Sequence, residues 1–281
     1  MKNIVPGKTS ALRGNIWGSI VNELIQAFNT YFEVRHATNP DLREQALKLR
    51  YDVYVREMQW ESGSGGVETD QYDRRSVHGL LYHRPTGALA GTARLVLQDA
   101  HCLDALFPAE GFIDESLRLG IADPKIARPR VAEFSRFTLA RSFRSRTGEA
   151  ANPYGAAIGS GPSEPVQQSR DPSHRGDGVA FPFRQERRAM LHPLLGLFVW
   201  VIRASAHHEL AYLYALMEPA LDRVFKRFGL CFDRISPPVQ HHGVRHVHTA
   251  HIPNFLSTLQ RLRPEVWELL TDEGRLCAAF M

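Results

Sequence analysis

Two hydrophobic periods alternate along this chain, and the alternation limits it to folds in which helices cover a mixed sheet. "YFEVRHAT" at 31–38 switches between apolar and polar residues like a strand, whereas "NPDLREQALKLRYDVYVREM" at 39–58 opens on Asn and Asp and repeats at helical spacing. "SVHGLLYHRPTGALAGTARLVLQD" reads as two strands joined by a Pro-Thr-Gly turn. "PRVAEFSRFTLA" is a further strand, and strict alternation puts Val131, Glu133, Ser135 and Phe137 on one face and Arg136 on the other. A helix follows at about 188–207, then a strand "LAYLYALM", a helix "EPALDRVFKRFG", a strand "LCFDRI", a histidine-rich strand near 243–252 and a helical pair ending near 272. This order predicts an α/β chain with one central mixed sheet flanked by helices.

Two segments depart from the pattern. From Asn15 to Phe28, apolar residues at helical spacing predict an amphipathic N-terminal helix, which docks on the core or lies along a membrane surface. Between about 142 and 185 the chain turns to Gly, Pro, Ser, Arg and Gln with hardly any aliphatic residues, so a mobile insertion is expected there. The sequence therefore divides into an N-terminal helix over 1–30 and one domain over 31–281.

No signal peptide is recognisable, and the most apolar run, "MLHPLLGLFVWVIRASA", is interrupted and short of the roughly 20 apolar residues a membrane span needs. Cys102, Cys231 and Cys277 are far apart and form no CxxC pair, so a reducing cytoplasm is expected, with membrane contact left to the N-terminal helix. The 34 basic residues exceed the 30 acidic ones by only four, a balance that carries no nucleic-acid motif. The histidines between 241 and 251 lack an acidic companion or an HExxH frame, so no metal is expected.

Charge gathers where a core strand and an irregular loop meet. Arg50, Glu68, Asp70, Asp73, Arg94, Glu133 and Arg136 fall on a helix, a polar loop and two neighbouring strands, from which they can converge. A carboxylate in the middle of "VAEFSRF" needs a partner or a task. Glu133 is open to two readings: an ion pair with Arg94, or a base whose pKa is raised by desolvation.

Five motifs in this region, "LRYDVYVREMQW", "ETDQYD", "GTARL", "LFP" and "EFSR", resemble in order and spacing those of the acyl-homoserine-lactone autoinducer synthases and the long-chain N-acyl amino acid synthases. The resemblance covers 32–146. Beyond the insertion, "LYALMEPALDRVFKRFGLCFDRISPPVQHHGVRHVHTA" is similar to the C-terminal half of the PEP-CTERM/exosortase system-associated acyltransferases. The resemblance implies the GNAT-type acyl-CoA N-acyltransferase fold. It places Arg50, Trp60, Asp70, Asp73, Arg94, Phe107, Glu133 and Arg136 at positions those enzymes keep, and Tyr54 where they carry phenylalanine. The implied roles are Glu133 and Arg136 in catalysis, with Arg50, Tyr54, Trp60, Asp70, Asp73, Arg94 and Phe107 forming or bracing the acceptor pocket. The acidic loop is expected to fold over that pocket, its carboxylates held by Arg50, Arg94 and Arg136, with Trp60 as an apolar wall.

The implied reaction is transfer of a fatty acyl group to the amine of a small acceptor such as an amino acid. Such an amine, with a pKa near 8, attacks a thioester only after losing a proton, and Glu133 is the candidate to take it. Backbone N–H groups around Phe137 and Thr138 are the candidate oxyanion donors. No metal or redox cofactor is expected. The donor is expected to be an acyl carrier protein rather than coenzyme A, because no glycine-rich pyrophosphate loop follows the "EFSR" strand and because Arg184, Arg187, Arg188, Lys226 and Arg227 offer a basic surface to an acidic partner. Two alternatives remain at this level: an autoinducer synthase using S-adenosylmethionine, and a non-catalytic domain that binds acyl carrier protein or lipid.

Overall fold

The computed structural model describes residues 23–144 and 193–280. The expected insertion at 142–185 lies outside the described residues except for 142–144, which close a helical turn, α3 (Arg141–Arg144), and so does the N-terminal helix up to residue 22. Over 23–31 the chain is helical (α1), and it docks inward, with Phe28 buried and Leu24 and Ile25 packed on the main core.

Among the described residues eight strands form one sheet: β1 (Phe32–His36), β2 (Ser76–His83), β3 (Ala88–Leu97), β4 (Val131–Leu139), β5 (Tyr212–Met217), β6 (Asp233–Arg234), β7 (Val239–Gln240) and β8 (Val244–His251). The order is β1-β2-β3-β4-β5-β8-β6, with β7 also on β8. All pairings are antiparallel except β4 with β5, which makes the sheet mixed as the alternation predicts. The "LCFDRI" segment contributes only the two residues of β6, and β7 has no counterpart in the periodicity.

Helix α4 (Pro193–His207) crosses one face over β1, β2, β3 and β4. Its residues from Leu194 to Ile202 are all buried, which explains a run apolar on every side. Contact there is close enough that Gly79 is obligatory: a Cβ at this position would lie 2.0 Å from the Trp200 ring. Helix α2 (Pro40–Arg50) covers β2 and β3 from the other face. It is capped by the Asn39 side chain accepting from the Leu42 N–H at 2.9 Å. At Tyr51 its winding loosens into a π-helical stretch, Tyr51–Glu57, after which the chain turns so that Trp60 N–H donates to the Tyr54 carbonyl at 2.9 Å. Helices α5 (Pro219–Arg227), α6 (Ile252–Leu262) and α7 (Pro264–Thr271) complete the order expected for the second half.

Two features of β4 open the sheet. Its pairing with β5 ends at the Glu133–Tyr214 pair, although both strands continue, so the two diverge beyond that point. On the β3 side Ser135 pairs with Arg94 and Thr138 with Thr92, so Arg136 and Phe137 together oppose the single residue Ala93. Arg136 takes up the extra residue with a left-handed φ of 49°. This bulge reverses the expected facing of two side chains. Phe137 joins Phe134 in the main core, with ring centroids 5.9 Å apart, and Arg136 turns toward the acidic loop. Period-2 counting fails at Arg136 because it has no place for an inserted residue.

Candidate active site

The divergence of β4 and β5 opens a cavity of about 270 Å³. Its floor is β4 from Glu133 to Phe137, and Leu216 and Met217 of β5 face it with Leu221 of α5. Tyr54, Trp60 and Glu61 come from the π-helical stretch and the turn after it, Asp70 and Tyr72 from the acidic loop, Arg94 from β3, and His241, His242 and Arg245 from the segment around β8.

The acidic loop is held down by three arginines. Arg50 is fully buried; its Nε donates to Glu68 at 2.5 Å and its two terminal nitrogens donate to Asp73 at 2.7 and 3.0 Å. Arg94 donates to Asp70 at 2.6 Å, to Asp73 at 3.1 Å and to the Ser135 hydroxyl at 3.1 Å. Arg136 reaches Glu61 and Glu68 at 3.0 Å and Asp70 at 3.2 Å. Burial alone would raise the carboxyl pKa values, but hydrogen bonds and charge from these arginines outweigh it and hold Glu68, Asp70 and Asp73 below the carboxylate range. Their charge raises the pKa values of Arg50 and Arg136 in turn, against the opposing effect of burial. The π-helical winding is what carries Tyr54 onto this cluster, where its hydroxyl lies 3.4 Å from the Phe137 carbonyl and the Arg136 guanidinium sits 5.5 Å from its ring centre.

Glu133 is treated differently. Arg94 shares its face of the sheet but bonds the loop carboxylates instead, so the ion pair that the sequence left open does not form. Among the described residues its hydrogen bond is the Ala109 N–H at 2.7 Å. Burial pushes its pKa up to about 8, because the Ala109 bond and the Arg94 and Arg136 charges offset only part of the desolvation and Glu110 adds repulsion. Glu110, also buried, is fully paired: Arg128 donates to both its oxygens, at 2.6 and 2.5 Å, and it accepts the Phe107 N–H at 2.9 Å. Two buried carboxyls on adjoining elements thus have opposite surroundings, one neutralised by a cation and the other facing the cavity with a single amide.

Among the residues proposed from sequence, Tyr54, Trp60, Asp70, Arg94, Glu133, Arg136 and Phe137 line the cavity. Arg50 and Asp73 brace it from behind. Phe107 and Thr138 are fully buried away from its wall, Phe107 with Tyr214 at 5.9 Å and under the Arg128 guanidinium at 4.5 Å. Lys226 and Arg227 are exposed at the end of α5, Lys226 paired with Asp222 at 2.7 Å; Arg184, Arg187 and Arg188 lie outside the described residues. Glu61, Tyr72, Arg245 and the Arg128–Glu110 pair were not picked out from sequence. Glu61 follows Trp60 directly, and "HGVR" at 242–245 was the one available pointer to Arg245. The apolar wall comes from β5 and α5, whereas α4 is absorbed by the core.

No group of three or more His, Cys, Asp or Glu among the described residues has the arrangement of a metal site, and no helix among them is long and apolar enough to cross a membrane.

Residues 49–151 match a family described as the acetyltransferase (GNAT) domain. Over 114 residues the chain is 30% identical to the acyl-homoserine-lactone synthase of Vibrio anguillarum, covering 38% of this chain and 51% of that protein. The chain thus matches about half the length of that relative. Similar solved structures include TofI in a ternary complex with an inhibitor and MTA (20% identity, 84% of this chain and 99% of that one, TM-score 0.49). Others are the CoA-dependent acyl-homoserine lactone synthase BjaI with SAM and isopentyl-CoA (20%, 88% and 89%, 0.49) and FeeM, an N-acyl amino acid synthase from uncultured soil microbes (14%, 81% and 93%, 0.48). Over 49–151 the chain is thus similar to the GNAT acetyltransferase domain, and over 114 residues to an acyl-homoserine-lactone synthase.

Proposed function

We propose that this protein is an N-acyltransferase that moves a fatty acyl group from an acyl carrier protein thioester to the amine of a small acceptor, an amino acid. The observation that carries the reading is Glu133: a buried carboxyl with a pKa of about 8, without a cation of its own, on the floor of a cavity where β4 and β5 part. A base poised there matches the pKa of the amine it must deprotonate.

In this reading the thioester lies between the diverging strands with its acyl chain along Phe134, Leu216, Met217 and Leu221. The acceptor enters beneath the acidic loop. The ammonium form of the acceptor first gives one proton to solvent; Glu133 takes a second as the neutral nitrogen bonds to the carbonyl carbon, and the N–H of Phe137, which lines the cavity, is placed to stabilise the oxyanion. Collapse breaks the carbon–sulfur bond, and the thiolate leaves with the proton Glu133 accepted, so the base is restored. One such oxyanion donor is worth about 3 kcal/mol. Arg136 fixes Glu61 and Asp70 at the acceptor side. The donor assignment draws on Lys226 and Arg227, which stand exposed at the far end of the helix that brings Leu221 to the cavity.

The 30% identity to an acyl-homoserine-lactone synthase favours a second reading, in which the acceptor is S-adenosylmethionine and the product closes to a lactone. Lipid mass spectrometry of cells expressing the protein, set beside Arg50→Ala and Glu133→Gln, separates these. A new N-acyl amino acid supports the first reading and an acyl lactone the second. No new lipid above the variants removes both.

A further inference from the structure

We propose that Arg245 is the specificity-determining residue that binds a free carboxylate on the acceptor, so that the enzyme acylates amino acids and refuses the corresponding decarboxylated amines. This deepens the acyltransferase reading above and rests on it.

Three arginines line the cavity, and two are committed. Arg94 binds Asp70 and Asp73, and Arg136 binds Glu61, Glu68 and Asp70. Arg245 has one carboxylate contact, from a terminal nitrogen to Glu218 at 3.0 Å, while its Nε donates to the His241 carbonyl at 2.7 Å. Its other terminal nitrogen makes no hydrogen bond among the described residues. Glu218 is a weak counter-charge: burial raises its pKa, against the pull of Arg245. The guanidinium therefore keeps charge and a donor in reserve: it faces a single carboxylate, where Arg94 is shared by two and Arg136 by three.

Its surroundings suit a planar anion with a substituent. The guanidinium carbon lies 5.3 Å from the Trp60 ring centre, and Trp60 is stacked at 5.7 Å and 11° on His242, so a flat aromatic shelf adjoins the cation. His241 adds no competing charge, since burial and the nearby His242 and Arg245 hold its pKa down at about 4. Glu133 lines the same cavity from β4, so an acceptor with amine and carboxylate on one small skeleton has both ends provided for.

The test offers a dodecanoyl thioester, on acyl carrier protein and on coenzyme A, with two acceptor pools: the twenty protein amino acids plus S-adenosylmethionine, and the matched decarboxylated amines. The wild type is expected to acylate the acids about 10- to 100-fold better than the amines, a ratio that Arg245→Gln collapses through KM and Arg245→Lys partly restores. Glu218→Gln frees the guanidinium and is expected to lower KM for the acids. A residue serving only as half of the 218–245 ion pair would instead make Glu218→Gln behave like Arg245→Gln. Equal use of both pools, or an acid-to-amine ratio unmoved in Arg245→Gln, overturns the assignment and leaves acyl transfer standing. No product from either pool, with either donor, removes the acyltransferase reading and this inference with it.

Discussion

Arg94 and Glu133 rise from adjacent strands on the same face of the sheet, yet the arginine turns its guanidinium to Asp70 and Asp73 and leaves the glutamate to the Ala109 amide. The consequence is a division of charge. The acidic loop is tied to three arginines, while Glu133 stays desolvated with its pKa raised. A pairing of Arg94 with Glu133 would have favoured its charged form and lowered its basicity.

That division sets the pH profile. Glu133 acts as a base only when ionised, so kcat/KM should climb as pH rises through about 8 and level off above it. At pH 7 only about a tenth of the enzyme carries the ionised group. Initial rates of N-acyl product between pH 6 and 9.5, with a quaternised acceptor as blank, check this; a rate falling across the same range would assign Glu133 as an acid.

Stability should show the same group with the opposite sense. Because the folded pKa of Glu133 lies above that of the unfolded chain, the native state holds a proton the unfolded state releases, and stability is lost as pH rises from about 4.3 toward 8. Glu133→Gln removes this loss. Urea midpoints should therefore be higher for the variant at pH 8 and similar for the two proteins at pH 4.5.

Arg50→Met should be among the most damaging substitutions away from the cavity wall. It removes the bidentate partner of Asp73 and the closest partner of Glu68, leaving these buried carboxylates to Arg94 and Arg136, a loss of about 3 kcal/mol. Denaturant unfolding measures it, and a loss below about 1 kcal/mol would mean the loop is held by Arg94 and Arg136 alone.

Asp73 contributes on the acid side. Its folded pKa is depressed, so its stabilisation is complete above the unfolded value of about 3.9 and is lost as pH falls below it. Asp73→Asn should lower stability at pH 7 and flatten the curve between pH 4 and 2, read by thermal unfolding.

Much of the framework can be read from residue order. Asn39 with the periodic run to Arg50 predicts α2 and its cap, and Pro85-Thr86-Gly87 predicts the β2–β3 turn, where Gly87 adopts φ 66°. What period counting misses are departures from regular winding. Nothing in an arginine announces the left-handed φ of Arg136, a conformation usually given to Gly or Asn, and the single inserted residue exchanges the faces of Arg136 and Phe137. The π-helical turn at Tyr51–Glu57 hides within an ordinary helical period and decides where Tyr54 and Trp60 point. Arg245 belongs to a strand more than a hundred residues after Glu133, and only the pairing of β8 with β5 brings it to the same cavity.

The most direct measurement is the single-turnover rate of amide formation by Glu133→Gln at pH 8 with acyl donor saturating. The account predicts a fall of about 10²- to 10⁴-fold with acyl-donor affinity unchanged. A variant that forms product at the wild-type rate would contradict it.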